Sequence, residues 1–488
     1  MNVRGSVYWS MISQALIFVV SLGNTIALAR ILSPHEFGIF AIAIAAQAVV
    51  QIFVSFGVSA YVTQHRDLTD GILTSAFTVN GIVLILFSIV LTLLSFFTKP
   101  LLGTADAGNV LRILAASAII NIFGFRSTAM LAREMAFKAL SLVTLVSVFA
   151  TAGVTLGSAL LGSSYMSAAW GILAGAIVQA ILFNIIGFRH ISLRVSLAGS
   201  REIIRFGMTM TLLSGASTLA GRISEIALGR VQGMSALGLY SRATGITAII
   251  QDNIYATATK ISYVKMADDA RKTDNLGPTL LRSLQLIVGL LWPVQIGLAI
   301  TAGPIINFVY GAKWIEAAPP LSLILISQSI TLMFGMNWEV FTLKGKLKQQ
   351  ARLEVIKTVF GAIVFVGCAQ FGLVAAASAK VLEALFGLFL YRGKIAALAE
   401  IRQAQLRDIY GEGALLTLCA VLPTVAFMVF YHWSPLTPIG PLLASIGVGI
   451  ILWITGLHML QHPLRDEIRV IANSIKDRFG GTRTQISS

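Results

Sequence analysis

The feature that most constrains this chain is a succession of apolar runs, most of 18 residues or more, separated by short polar connectors. A run of about 20 residues crosses the hydrocarbon layer as a helix, because its backbone must satisfy its own hydrogen bonds there. Barrel strands would be about half as long and would alternate apolar with polar residues. Fourteen runs can be drawn, at roughly 7–30, 38–63, 75–98, 110–132, 139–161, 166–188, 206–230, 236–259, 284–310, 317–343, 354–371, 373–391, 412–432 and 439–460. The expectation is an all-α polytopic membrane protein of about 14 transmembrane helices. Only 12% of residues are charged, about half the usual share of a soluble domain.

Lys and Arg give the orientation. Of the 36 in the chain, 28 fall in segments that an inside N-terminus makes cytoplasmic. Five lie outside (Arg30, Lys99, Arg112, Arg230 and Lys313), and three lie within spans (Arg222, Arg242 and Lys380). That asymmetry predicts both termini in the cytoplasm. It also accounts for the net charge of +15, which in a soluble protein would suggest nucleic acid. No nucleic-acid partner is expected. The first run resembles a signal peptide but is too long for an h-region of about 7–15 residues, so it reads as a retained span.

Residues 27–43 (ALARILSPHEFGIFAIA) recur 200 positions later as residues 227–243 (ALGRVQGMSALGLYSRA). Ala27/Ala227, Leu28/Leu228, Arg30/Arg230, Gly38/Gly238 and Ala43/Ala243 are identical. The first and seventh spans cross in the same direction, so the halves read as two parallel six-helix repeats around a central cavity. The expected organisation is an N-terminal half (1–190), a cytoplasmic amphipathic linker (191–205) and a C-terminal half (206–391). A second such linker (392–411), two additional spans (412–460) and a basic amphipathic tail (461–488) follow. Both linkers read as helices lying in the inner interface.

Several chemistries are missing. There is no phosphate-binding G-x-x-x-x-G-K-[ST] loop and no external loop long enough for a catalytic domain. Cys368 and Cys419 lie in apolar runs, so neither a disulfide nor a metal site is expected, and no cofactor. The pattern is that of a transporter, not an enzyme.

An ionised side chain at mid-bilayer costs about 2.5–3.5 kcal/mol, so each one needs a reason. Arg222 and Glu225 share one helix face, as do Lys380 and Glu383, each pair three residues apart. Arg242 lies just inside the eighth span and Asp252 deeper in it, while Glu339, Glu354 and Lys357 sit nearer the inner face. Two readings stand. The pairs either neutralise one another and hold helices together, or they line a net-positive cavity rimmed by Arg30 and Arg230. Such a cavity would suit a diphosphate, to which Arg offers forked donors. Glu225, Asp252 and Glu383 are the candidates for ion coupling. A polar stripe of Asn24, Thr25, Gln47, Gln51, Ser55, Gln179 and Asn184 fits helix–helix hydrogen bonding as well as substrate contact.

Four motifs resemble the Wzx-type oligosaccharide flippases of the multidrug/oligosaccharidyl-lipid/polysaccharide exporter superfamily. They are Ala29-Arg30-Ile31-Leu32-Ser33-Pro34-His35-Glu36-Phe37-Gly38, then Phe56-Gly57-Val58 with Gln64-His65-Arg66-Asp67-Leu68, then Leu131-Ala132-Arg133-Glu134-Met135-Ala136-Phe137-Lys138. The last joins Arg205-Phe206-Gly207 to Arg222, Glu225 and Leu237-Gly238-Leu239-Tyr240-Ser241-Arg242-Ala243. Ser33 stands where that family usually has Gly, and Glu225 where Asp is common. The resemblance implies translocation of undecaprenyl-diphosphate-linked oligosaccharide for exopolysaccharide or lipopolysaccharide assembly, with Arg222, Arg242 and Lys380 meeting the diphosphate. It implies polymerase or export machinery as partners beside the lipid bilayer. A cation-coupled drug antiporter of the same superfamily would favour a carboxylate-rich cavity. A polysaccharide polymerase would need a large external loop, and an assembly scaffold is the remaining alternative.

Overall fold

The computed structural model describes residues 3–52, 58, 61–62, 69–188, 194–198, 200–273 and 275–480. Among these residues there are helices and turns and no strand. The chain divides into two compact units, Met1–Ser241 and Arg242–Ser488.

The first unit contains α1 (Val3–Ile31), α2 (Pro34–Ile52), α3 (Asp70–Phe96), α4 (Ala107–Arg133), α5 (Phe137–Leu160) and α6 (Ser167–Ile186). It also takes most of α7 (Ser200–Ile250). Helix α7 is broken at Gly233, whose φ of 85° is open to glycine at no steric cost. Within this unit α1 packs on α5, α5 on α6, α6 on α4, and α4 on α3.

The second unit contains the end of α7, a π-helical segment at Gln251–Tyr255, α8 (Ala256–Thr273), α9 (Gly277–Ile300), α10 (Ala302–Tyr310) and α11 (Ala318–Leu332). Helices α12 (Asn337–Leu343), α13 (Leu347–Ala369), α14 (Leu373–Leu398), α15 (Gln403–Phe430), α16 (Ile439–Met459) and α17 (Pro463–Gly480) follow. Here α11 and α13 pack on α14, and α9 and α16 on α15.

The solvent is lipid, so apolarity alone does not decide burial. On α3 the buried residues include Thr74, Ser75, Ala76, Thr78 and Gly81 beside Leu73, Phe77, Val79, Phe87 and Leu91. Ile85, Leu86, Ile89, Val90, Leu93 and Phe96 stand exposed. Small residues let backbones approach, while large apolar ones lose nothing by facing acyl chains. Buried hydroxyls are satisfied by their own helix, as when Thr78 Oγ1 donates to Thr74 O at 2.9 Å.

Among the described residues eleven helices are long and apolar enough to span a membrane. The other three expected spans are helical too: 206–230 and 236–259 fall in α7 and its continuation, and 354–371 in α13. Each carries charges that lower its apolar character, among them Lys348, Arg352, Glu354 and Lys357 in α13.

Two connectors differ from the reading of free interfacial helices. In 191–205, residues 194–198 are not helical, and the helix from Ser200 onward is already α7. Side chains of α3 strap this connector down: Ser75 Oγ donates to Ala198 O at 2.6 Å, and Thr78 Oγ1 accepts from Ser196 N at 3.0 Å. Residues 392–411 divide between the end of α14 and the start of α15. Glu400 takes a φ of 57° and Ile401 N donates to Ala396 O at 3.0 Å, which ends α14. Ile395, Ile401 and Leu406 are buried in protein, so their apolar face is not left for the interface. The tail contains α17, tied back by Arg282 Nη2 to Glu467 Oε1 at 3.0 Å.

His462, in the elbow before α17, is buried, and a Cβ on Gly289 would lie 2.7 Å from its Cε1. Burial pushes its imidazole below the ordinary histidine value, against an upward pull from Glu412.

Candidate functional site

The repeated turn is built from local capping chemistry. Ser33 N and Oγ each donate to Glu36 Oε2 at 2.7 Å, and Glu36 N donates back to Ser33 Oγ at 3.3 Å. With Pro34 opening α2, this is a capping box, and it explains what Ser33 contributes where Gly is usual. Glu36 Oε1 also accepts from Ser164 Oγ.

The two copies of the turn meet. A Cβ added to Gly38 would fall 1.8 Å from Met234 O, and one on Gly238 would fall 1.9 Å from Pro34 O. Positions 34 and 38 thus contact 238 and 234 reciprocally, as a local twofold axis through the crossing requires. Arg30 and Arg230 are both exposed, and Arg230 Nη1 donates to Pro100 O.

The paired charges are paired in fact. Arg222 Nη1 lies 2.8 Å from Glu225 Oε2, both partly exposed. Lys380 Nζ lies 2.9 Å from Glu383 Oε2 and 5.6 Å from the Phe365 ring centroid. A Cβ on Gly361 would lie 2.3 Å from Glu383 Cδ, so glycine clears the room that this carboxylate occupies. Lys357 Nζ is 2.7 Å from Glu354 Oε1, and Tyr391 OH donates to Glu354 Oε2 at 3.0 Å.

The last two pairs, read from sequence as lying at different depths, belong to one seam. Gly372, with a φ of 115°, folds α13 and α14 into a hairpin. Residues 365, 361, 357 and 354 then meet 380, 383, 387 and 391. Along the seam the charges run Lys380, Glu383, Lys357, Glu354, alternating in sign and summing to zero.

Arg242 is placed differently. It is 5% exposed, with its guanidinium 5.5 Å from the Tyr310 ring centroid and 5.4 Å from that of Trp314. That is a cation boxed by aromatic faces. Asp252 stands exposed on the π-helical segment.

Three features escaped the sequence reading. Arg126, one of the 28 residues assigned to cytoplasmic segments although it falls within the run 110–132, is buried in α4, paired with Asp70, and donates to Thr74 Oγ1 at 3.2 Å. The expected span 317–343 is interrupted between Leu332 and Asn337, where Met336 has a φ of 58°. Two tyrosines satisfy the freed backbone: Tyr410 OH donates to Met333 O, and Met336 N donates to Tyr255 OH at 3.2 Å. Neither partner was signalled by local spacing. Of the polar stripe, Asn184 is structural, with Nδ2 donating to Phe123 O and Oδ1 accepting from Ser127 Oγ, both at 3.1 Å.

The Leu131–Lys138 motif forms the α4–α5 turn, closed by Ala136 N donating to Leu131 O at 2.9 Å. The motif at 56–58 and 64–68 lies outside the described residues except for Val58.

Residues 27–319 match the family described as polysaccharide biosynthesis protein. The chain is 22% identical over 352 residues to the lipopolysaccharide biosynthesis protein WzxC of Escherichia coli (strain K12), 72% of either chain. It is 26% identical over 338 residues to the succinoglycan biosynthesis transport protein ExoT of Rhizobium meliloti (strain 1021), 67% of either chain. Its fold is similar to that of the lipid II flippase MurJ in an inward closed conformation. There the TM-score is 0.75 at 13% identity, covering 94% of this chain and 99% of that one.

Proposed function

The chain belongs to the polysaccharide biosynthesis protein family, and on that footing we propose that it is a flippase. Its cargo is an undecaprenyl-diphosphate-linked oligosaccharide, carried across the bacterial inner membrane for exopolysaccharide or lipopolysaccharide assembly. The observation that carries this reading is the family match over residues 27–319, which takes in both copies of the repeated turn.

Transport is by alternating access, with the headgroup crossing inside the protein while the polyprenyl tail stays in lipid. Both termini face the cytoplasm, following the Lys and Arg distribution. The product is handed to polymerase or export machinery on the other side.

We assign diphosphate contact to Arg222 and, separately, to Lys380, because each is partly exposed beside one carboxylate. A diphosphate offers stronger, multidentate acceptors than a single carboxylate, so binding is an exchange of partners. Glu225 and Glu383 are the carboxylates released by that exchange. That exchange would couple transport to a proton gradient, with exposed Asp252 as the further titratable group in the eighth span. Arg242 is buried between Tyr310 and Trp314 and takes no part in this exchange.

The test is a deletion strain. Loss of surface polysaccharide, with lipid-linked repeat units accumulating on the cytoplasmic face, is the expected result. Normal polysaccharide with no accumulation would remove the reading.

A further inference from the structure

Gln179 of the polar stripe, together with two amides outside that stripe, is not spent on holding helices together. Asn80, Asn121 and Gln179 line an open cleft of about 250 Å³ between α3, α4 and α6, with Thr128, Phe125 and Phe183. Among the described residues none of these three amides makes a hydrogen bond to protein. Asn80 lies ten residues into α3, Asn121 fourteen into α4 and Gln179 twelve into α6. At 1.5 Å per residue that is about 15–20 Å along each helix, near mid-membrane.

The three amides are at least partly exposed in this open cleft, so at a depth where lipid offers no hydrogen bonds they present donors and acceptors to a polar occupant. No charged side chain lines it, which sets it apart from the ion-paired sites. A carboxamide both donates and accepts, which matches hydroxyl and acetamido groups on both counts, whereas an ionised phosphate only accepts and leaves the amide carbonyls unmatched. The two phenyl rings supply apolar wall for the C–H face of a sugar ring. The volume falls just below the range of about 300–1,000 Å³ for small-molecule pockets, the scale of one ring and not of a whole repeat unit.

We propose that this cleft is a subsite for one uncharged sugar residue of the transported glycan, read through its hydroxyl or acetamido groups. The assignment rests on the flippase reading above.

The test uses the full chain in nanodiscs and three probes: undecaprenyl diphosphate, undecaprenyl-diphosphate-glucose and undecaprenyl-diphosphate-N-acetylglucosamine. Native mass spectrometry gives the affinity for each. The wild type should prefer at least one glycosylated lipid over the bare diphosphate. Asn80→Ala, Asn121→Ala and Gln179→Ala should each reduce that preference by about 2–10-fold, the worth of a hydrogen bond, with binding of undecaprenyl diphosphate unchanged. The unchanged binding doubles as the folding control, and Asn121 is exposed, so its truncation spares the packing. Equal affinity of the wild type for all three probes, or variants that keep the wild-type preference, would overturn the subsite while leaving the flippase reading in place. Binding of none of the lipids to the wild type would overturn the flippase reading, and the subsite with it.

Discussion

Gly38 and Gly238 stand 200 residues apart, and each lies against the backbone of the other's turn. Met234 O is 1.8 Å from where a Cβ on Gly38 would sit, and Pro34 O is 1.9 Å from the corresponding point on Gly238. The duplicated segments are therefore in contact, and their contact is reciprocal. A crossing this tight admits no side chain at either position.

Gly38→Ala and Gly238→Ala should each destabilise the protein, by about 1–3 kcal/mol or more, because a methyl group there forces backbone apart. Gly221→Ala is the control, since nothing lies within 4 Å of its added Cβ and alanine favours a helix. Thermal unfolding in detergent should show lowered midpoints for the first two and none for the third.

The seam between α13 and α14 separates structural from transport roles. Lys380→Met alone leaves Glu383 unpaired, and should cost about 2–3 kcal/mol or force proton uptake. The double variant Lys380→Met/Glu383→Met removes both charges and should recover most of that stability. If Lys380 meets the diphosphate, the double variant stays inactive in translocation even though it is stable. Recovered translocation would reduce the pair to a helix clamp.

Arg242 should answer to shape as well as charge. Arg242→Lys keeps the cation but loses the planar face set between Tyr310 and Trp314. A loss of about 1–2 kcal/mol is expected, read as a lowered unfolding midpoint. An unchanged midpoint would mean the aromatic box contributes nothing.

His462 gives a pH dependence. Its folded value lies below the ordinary 6.5, so the unfolded chain binds the proton more readily. Stability should therefore fall as pH drops below about 6.5. His462→Gln should flatten the loss between pH 7 and 5 in thermal unfolding. A variant that loses stability as steeply as the wild type would place the titration elsewhere.

Much of the fold is legible in the sequence because the membrane imposes it. Apolar runs give the helices, Lys and Arg give the expected orientation, and the 27–43 and 227–243 repeat marks the turns that later meet. The seam was legible in principle: folding back about Phe371-Gly372 pairs 354 with 391 and 365 with 380. Arg126–Asp70 and the tyrosines at the broken span were not. Their partners are 56, 81 and 77 residues apart, and no local periodicity connects such positions. The connector at 392–411 was misread because an amphipathic face alone does not say whether protein or lipid headgroups cover it.

The central claim is that Arg222 and Lys380 each exchange a carboxylate for phosphate oxygens of a lipid-linked glycan. The most direct measurement reconstitutes the chain in proteoliposomes loaded with undecaprenyl-diphosphate-linked oligosaccharide, and follows how fast the glycan becomes accessible on the opposite face. The wild type should translocate it, while Arg222→Gln and the stable Lys380→Met/Glu383→Met variant should slow the rate at least tenfold, equal to about 1.4 kcal/mol. Wild-type rates in both variants, at equal amounts of folded protein, would contradict the account.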